Sequence, residues 1–142
     1  MDLAVSVVLL SDRCSEQKED VYKRQILEFI KNNAKIKRNI TISWFGGEPL
    51  LKFADIKRML HKACQYGDEY GCKITSDITT NGYLLNEQNI REMKQLNVKS
   101  IQITIDGDRE SHNKRRYLAG ADVYKRQVYY TTGCRAVSGV RI

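Results

Sequence analysis

The sequence predicts an α/β fold with a parallel sheet and right-handed crossovers, either a barrel or an open sheet. Long segments of helical period alternate with short segments of strand period in the order αβαβαβ. Each strand-like segment ends in a polar turn rich in glycine, asparagine or aspartate. In parallel α/β folds that edge of the sheet is where ligands bind, because the loops there surround a crevice.

The elements follow from Ile26 onward. Ile26, Leu27, Phe29 and Ile30 mark the apolar face of a first helix that frays at Asn32–Asn33. Asn39 to Phe45 alternates, with Ile40, Ile42 and Trp44 on one side, and reads as a strand broken by Gly46-Gly47-Glu48-Pro49. Ile56, Met59, Leu60 and Ala63 keep helical spacing to about Tyr70, and Gly71 closes that helix. Lys73 to Thr80 is a second strand ending in Asn81-Gly82. Asn86 is placed to cap a helix over Glu87 to Leu96. Ser100 to Ile105 is a third strand, punctuated by Asp106-Gly107.

Bulk properties narrow the function classes. The chain has 142 residues, 42% of them hydrophobic, enough for one domain with a moderate core. The longest apolar run, Leu3 to Leu10, is too short to cross a bilayer and lacks a basic segment before it, so a cytoplasmic location is expected. A net charge of +7 raises the question of nucleic acid. The basic residues are scattered, however, and the densest group, Lys114-Arg115-Arg116, has no interleaved aromatics; a solvated basic surface is the better reading. Cys14, Cys64, Cys72 and Cys134 form no CxxC pair, which points away from a zinc site or a disulfide framework.

One repeat stands apart. Asp-Val-Tyr-Lys-Arg-Gln occurs at Asp20–Gln25 and again at Asp122–Gln127, and nothing flanking it repeats. Structural repeats keep an apolar period and let surface positions drift; this pair does the opposite. The codons GAT GTG TAT AAG AGA CAG encode the hexapeptide and match a transposase end sequence ligated to DNA during sequencing-library preparation. On that reading residues 1–25 and 122–142 are set apart, and functional weight rests on 26–121.

The most informative stretch is Trp44-Phe45-Gly46-Gly47-Glu48-Pro49-Leu50-Leu51. Two glycines let a ligand lie against bare backbone. A glutamate at the turn can accept hydrogen bonds from an ammonium, and Pro49 suits the first turn of the next helix. An ordinary strand-to-helix turn with a solvated glutamate fits the spacing equally well.

WFGGEPLL resembles the GGEP motif of radical S-adenosylmethionine (radical SAM) enzymes. Thr79-Thr80-Asn81-Gly82-Tyr83-Leu84-Leu85 resembles the family's TNG segment. Gln102-Ile103-Thr104-Ile105-Asp106-Gly107, followed by His112-Asn113 and Arg116, resembles its (S/T)xDG…H(D/N)…R segment. The ordered set covers about Ile26 to Gly120 and resembles SPASM-type peptide maturases and anaerobic sulfatase maturases. The resemblance implies a partial (β/α) barrel fragment with about three parallel strands and flanking helices. It implies an enzyme that reductively cleaves S-adenosylmethionine to modify a peptide or protein side chain, with ferredoxin or flavodoxin as electron donor. Carried over by position, Gly46, Gly47 and Glu48 would hold the methionyl ammonium, Thr104 the carboxylate or ribose, and Arg116 the carboxylate. Asn81 would also be cofactor-binding, with a turn-capping role left open; Asp106 reads as structural, and His112 as structural or substrate-facing.

The family also implies a [4Fe–4S] cluster held by CxxxCxxC in the loop after the first strand. With a first helix near Ile26, that loop falls on the hexapeptide, and none of the four cysteines has the spacing. The chain as written is therefore expected to be inactive, a fragment whose missing strands leave open edges and uncovered apolar surface. Two further readings stand beside it: a non-catalytic α/β ligand-binding domain, and a basic α/β domain that binds nucleic acid or phosphate.

Overall fold

A computed structural model describes residues 2–8 and 16–103. Four parallel strands, β1 (Asp2–Val8), β2 (Asn39–Phe45), β3 (Lys73–Thr80) and β4 (Val98–Ile103), lie in the order β1-β2-β3-β4. The helices α1 (Glu16–Ala34), α2 (Phe53–Tyr70) and α3 (Glu87–Gln95) connect them, and a 3₁₀ turn over Pro49–Lys52 precedes α2. Sequential order matters. A right-handed crossover repeated between neighbouring strands puts every helix on the same face, as in a barrel, whereas a doubly wound sheet reverses direction. The core agrees. Ile30 and Ala34 of α1, Ile56, Leu60 and Ala63 of α2 and Met93 of α3 all pack with the Ile40, Ile42, Trp44, Ile74 and Ile78 side of the sheet.

The α/β class and the parallel sheet are those anticipated, with differences at the N-terminal side. The described residues hold four strands, not three: Leu3, Val5 and Val7 alternate with exposed Ala4 and Ser6, so the apolar run is an edge strand in register with β2. Helix α1 starts at Glu16 and runs through the hexapeptide, whose neighbours Glu16 to Glu19 are good helix formers. Its inward stripe is buried Ile30 and Ala34 with partly buried Ile26 and Leu27, spaced for one helical face; Phe29 falls off that stripe and is 50% exposed. Strands β2 and β3 have the expected bounds, and β4 begins two residues earlier than Ser100.

Local chemistry sets the helix ends. Gly71 takes φ 68° at the end of α2, a left-handed conformation that costs glycine little. The Asn86 side chain accepts from the Asn89 N–H at 2.8 Å and caps α3. Gly67 lies inside α2 because its missing Cβ lets the helix meet the Cys72 carbonyl; a Cβ there would sit 2.5 Å from that oxygen. The helix-free face differs from the apolar surface expected for missing strands. Ser6, Thr41, Ser43, Thr75, Asp77 and Thr79 occupy it, and Phe45, 37% exposed, stands toward its top. No helix among the described residues is long and apolar enough to cross a membrane.

Candidate functional site

The loops that follow β2 and β3 meet at the C-terminal edge of the sheet. Trp44, fully buried, ends β2 by donating its indole N–H to Ser76 Oγ on β3 at 2.8 Å, and that hydroxyl donates to the Ile42 carbonyl at 2.8 Å. This closed relay satisfies a buried donor that would otherwise cost about 1–3 kcal/mol. It also ties β2 to β3 in mid-strand, where Ile42 pairs with Ser76. The chain then turns through Gly46 (φ 94°) and Gly47 (φ 56°), both in the left-handed region. A Cβ built on Gly47 would meet nothing within 4 Å. Backbone conformation, not crowding, is therefore the reason for glycine there, and the space above the turn is open.

Glu48 joins the two loops. Its Oε1 accepts from the Leu50 N–H at 3.1 Å and from Thr80 Oγ1 at 2.6 Å, and its Oε2 accepts from the Asn81 N–H at 2.8 Å. The first bond caps the 3₁₀ turn, which Pro49 opens as anticipated. The other two reach across more than thirty residues to the end of β3. Thr80, 3% exposed, also accepts from the Gly82 N–H at 3.0 Å, and Asn81 Oδ1 accepts from the Tyr83 N–H at 2.8 Å. An ionised carboxylate offers about four acceptor positions. Three are taken here, so Glu48 acts as a brace with one position left. That arrangement differs from a solvated glutamate, and from one whose carboxylate is wholly free for a ligand.

Gly46, Gly47, Glu48 and Asn81 are thus brought together. Thr104 and Arg116, with Asp106, Gly107, His112 and Asn113, lie outside the described residues. Sequence reasoning missed Thr80 and Ser76, the hydroxyls that tie β3 to the turn. Their only signal was a polar residue at strand positions whose alternation pointed inward.

Among the described residues no group of three or more His, Cys, Asp or Glu side chains could hold a metal ion. Burial pushes the Cys64 and Cys72 thiols up, away from the thiolate a cluster ligand requires. The hexapeptide falls within α1, and residues 9–15, between β1 and α1, lie outside the described residues. Cys14 falls within that interval and outside the described residues. A CxxxCxxC pattern begun at Cys14 would need cysteines at positions 18 and 21, which hold Lys18 and Val21 of α1. The residues present do not fit the cluster.

Comparison with known proteins places this geometry. The family model of the radical SAM superfamily matches residues 13–128. The uncharacterised protein MJ0804 of Methanocaldococcus jannaschii is 35% identical over 97 residues, which is 68% of this chain and 31% of that protein. MJ0907 of the same organism is 40% identical over 70 residues, 48% of this chain and 23% of that protein. The solved structure of native anSMEcpe with bound AdoMet and the Cp18Cys peptide superposes with a TM-score of 0.65 at 18% identity. It covers 93% of this chain and 39% of that one. The chain therefore spans less than half the length of these relatives, and at that identity the structural likeness is one of fold.

Proposed function

Because this chain belongs to the radical SAM superfamily, we propose that the edge formed by Gly46, Gly47, Glu48 and Asn81 binds the amino-acid end of S-adenosylmethionine. The enzyme to which this chain corresponds would then modify a peptide or protein side chain. The observation that carries the reading is the Glu48 brace. Three hydrogen bonds of 2.6–3.1 Å hold a two-glycine turn rigid against the end of β3. A rigid turn presents its carbonyls to an ammonium without paying to order them at binding. Glu48 contributes its remaining acceptor position and its charge. Thr104 and Arg116 are proposed for the carboxylate or ribose, a guanidinium fork being suited to a carboxylate.

A peptide substrate is supported by the likeness to anSMEcpe, whose solved structure holds the Cp18Cys peptide. Reductive cleavage of S-adenosylmethionine would need an electron from a [4Fe–4S] cluster, with a ferredoxin or flavodoxin as proposed donor. The 142 residues lack a CxxxCxxC pattern. We therefore propose that this chain binds the cofactor without cleaving it, and that the two hexapeptides mark sequence of separate origin.

Equilibrium binding of S-adenosylmethionine to the full chain tests the proposal. Saturable binding is expected, weakened at least about tenfold by Gly47→Ala, whose added methyl enters the open space over the turn. The fold should lose only about 1–2 kcal/mol, the usual cost of a left-handed non-glycine residue. Absence of binding by the wild-type chain, or equal affinity in the variant, overturns it.

A further inference from the structure

Strand register on the helix-free face lines up one residue from each strand. Ser6 pairs with Ser43, Ser43 with Asp77, and Asp77 with Ser100. This row lies two residues, roughly 7 Å, below the strand ends that carry Phe45 and Thr79. Layers inside a closed (β/α) barrel are ordinarily filled by Val, Ile and Leu. The row here is instead three serines and one carboxylate, small and polar, on the open face of the described sheet.

The carboxylate itself is under-used. Asp77 Oδ2 accepts from Ser43 Oγ at 3.0 Å, and among the described residues no cation pairs with it. Of the other charged strand residues, Asp2 and Lys73 stand at the foot of the strands, Lys73 about 13 Å from Asp77 along β3, and Lys99 is the extra residue of the register shift next to Ser100 and makes no ion pair with Asp77. Ser43 fixes one oxygen, and the second points from a half-buried position with acceptor capacity to spare. In a chain with a net charge of +7, this lone anionic spot on a neutral row is complementary to a cation.

We infer that Asp77 is a specificity-determining residue that receives a cationic side chain, an ammonium or guanidinium, of the peptide substrate. The inference rests on the proposed reading of this chain as part of a radical SAM enzyme that acts on a peptide, and it places that peptide on the helix-free face.

The test is an amide chemical-shift titration of the full chain with two neutral-backbone probes, Nα-acetyl-lysine methylamide and Nα-acetyl-norleucine methylamide. The lysine probe is expected to shift the amides of Ser43, Asp77 and Ser100 with an affinity about tenfold above that of norleucine. Asp77→Asn should abolish the preference, and Ser43→Ala, which keeps the charge, should retain it. Equal responses to the two probes, a comparison that needs no variant, overturn the inference. So does an undiminished lysine preference in Asp77→Asn. S-adenosylmethionine titrated into the same sample reads the proposed function separately, at Gly46, Gly47 and Asn81. Shifts there without a lysine preference remove only the role of Asp77.

Discussion

Replacing Thr80 by valine is the sharpest probe of the brace, because it removes one oxygen and little volume. Thr80 is 3% exposed, so the valine methyl occupies the same enclosed space. The lost hydroxyl donates at 2.6 Å to an ionised carboxylate, a charge-assisted bond worth about 1.5–3 kcal/mol. The same oxygen accepts from the buried Gly82 N–H, and stranding that donor costs about 1–3 kcal/mol more. Glu48 keeps two N–H donors and is half exposed, so water recovers part of the first term. A net loss of about 2–4 kcal/mol is expected. Urea unfolding should show it as a midpoint lowered by at least about 1 M with an unchanged slope. Thr41→Val is the matched control. Its hydroxyl pairs with Thr75 Oγ1 at 3.0 Å on the open face, where water can replace it, and about 0.5 kcal/mol is expected. A Thr80→Val protein within about 0.5 kcal/mol of wild type, or a control equally damaged, would refute the reasoning.

Gly67→Ala and Gly71→Ala should separate sterics from backbone conformation. At Gly67 the methyl meets a carbonyl at 2.5 Å and Ile74 at 2.7 Å, so a loss of about 3 kcal/mol or more is expected. At Gly71 nothing lies within 4 Å, and thermal unfolding should register only about 1 kcal/mol for the left-handed cap. Ser76→Ala strands the Trp44 indole N–H and should cost about 2 kcal/mol, part of which Trp44→Phe in the same chain should recover. Asp55 links α2 to α1. Burial pushes its carboxyl up, but the hydrogen bonds and charges of Lys23 and Arg58 push it further down, leaving it below the ordinary value. A depressed carboxyl stabilises the fold above its unfolded value, about 4, and that contribution is lost as pH falls through the folded value. Asp55→Asn should therefore be less stable at neutral pH and flatter in stability across the acid range, as read by urea unfolding at successive pH values.

What the sequence made legible was local. Alternation over Asn39–Phe45 and Lys73–Thr80 set both strands, and Gly71 and Asn86 set helix ends through the backbone chemistry of single residues. The first strand was hidden because Leu3 to Leu10 reads as one apolar run, and only its register with β2 shows which side is buried. Helix α1 was shortened because the hexapeptide lacks an apolar stripe, although its residues favour helix. The brace was illegible for a deeper reason. Glu48 finds Thr80 and Asn81 only once β2 and β3 are paired, so its role depends on contacts more than thirty residues apart. The face row from Ser6 to Ser100 likewise exists only through register.

A crystal structure of the full chain grown with S-adenosylmethionine tests the central claim most directly. The ligand's ammonium is predicted within hydrogen-bond distance of the Gly46 or Gly47 carbonyl, with Glu48 still bound to Thr80 and Asn81. Ligand density on the helix-covered side, or a Glu48 carboxylate that has left Thr80, would contradict it.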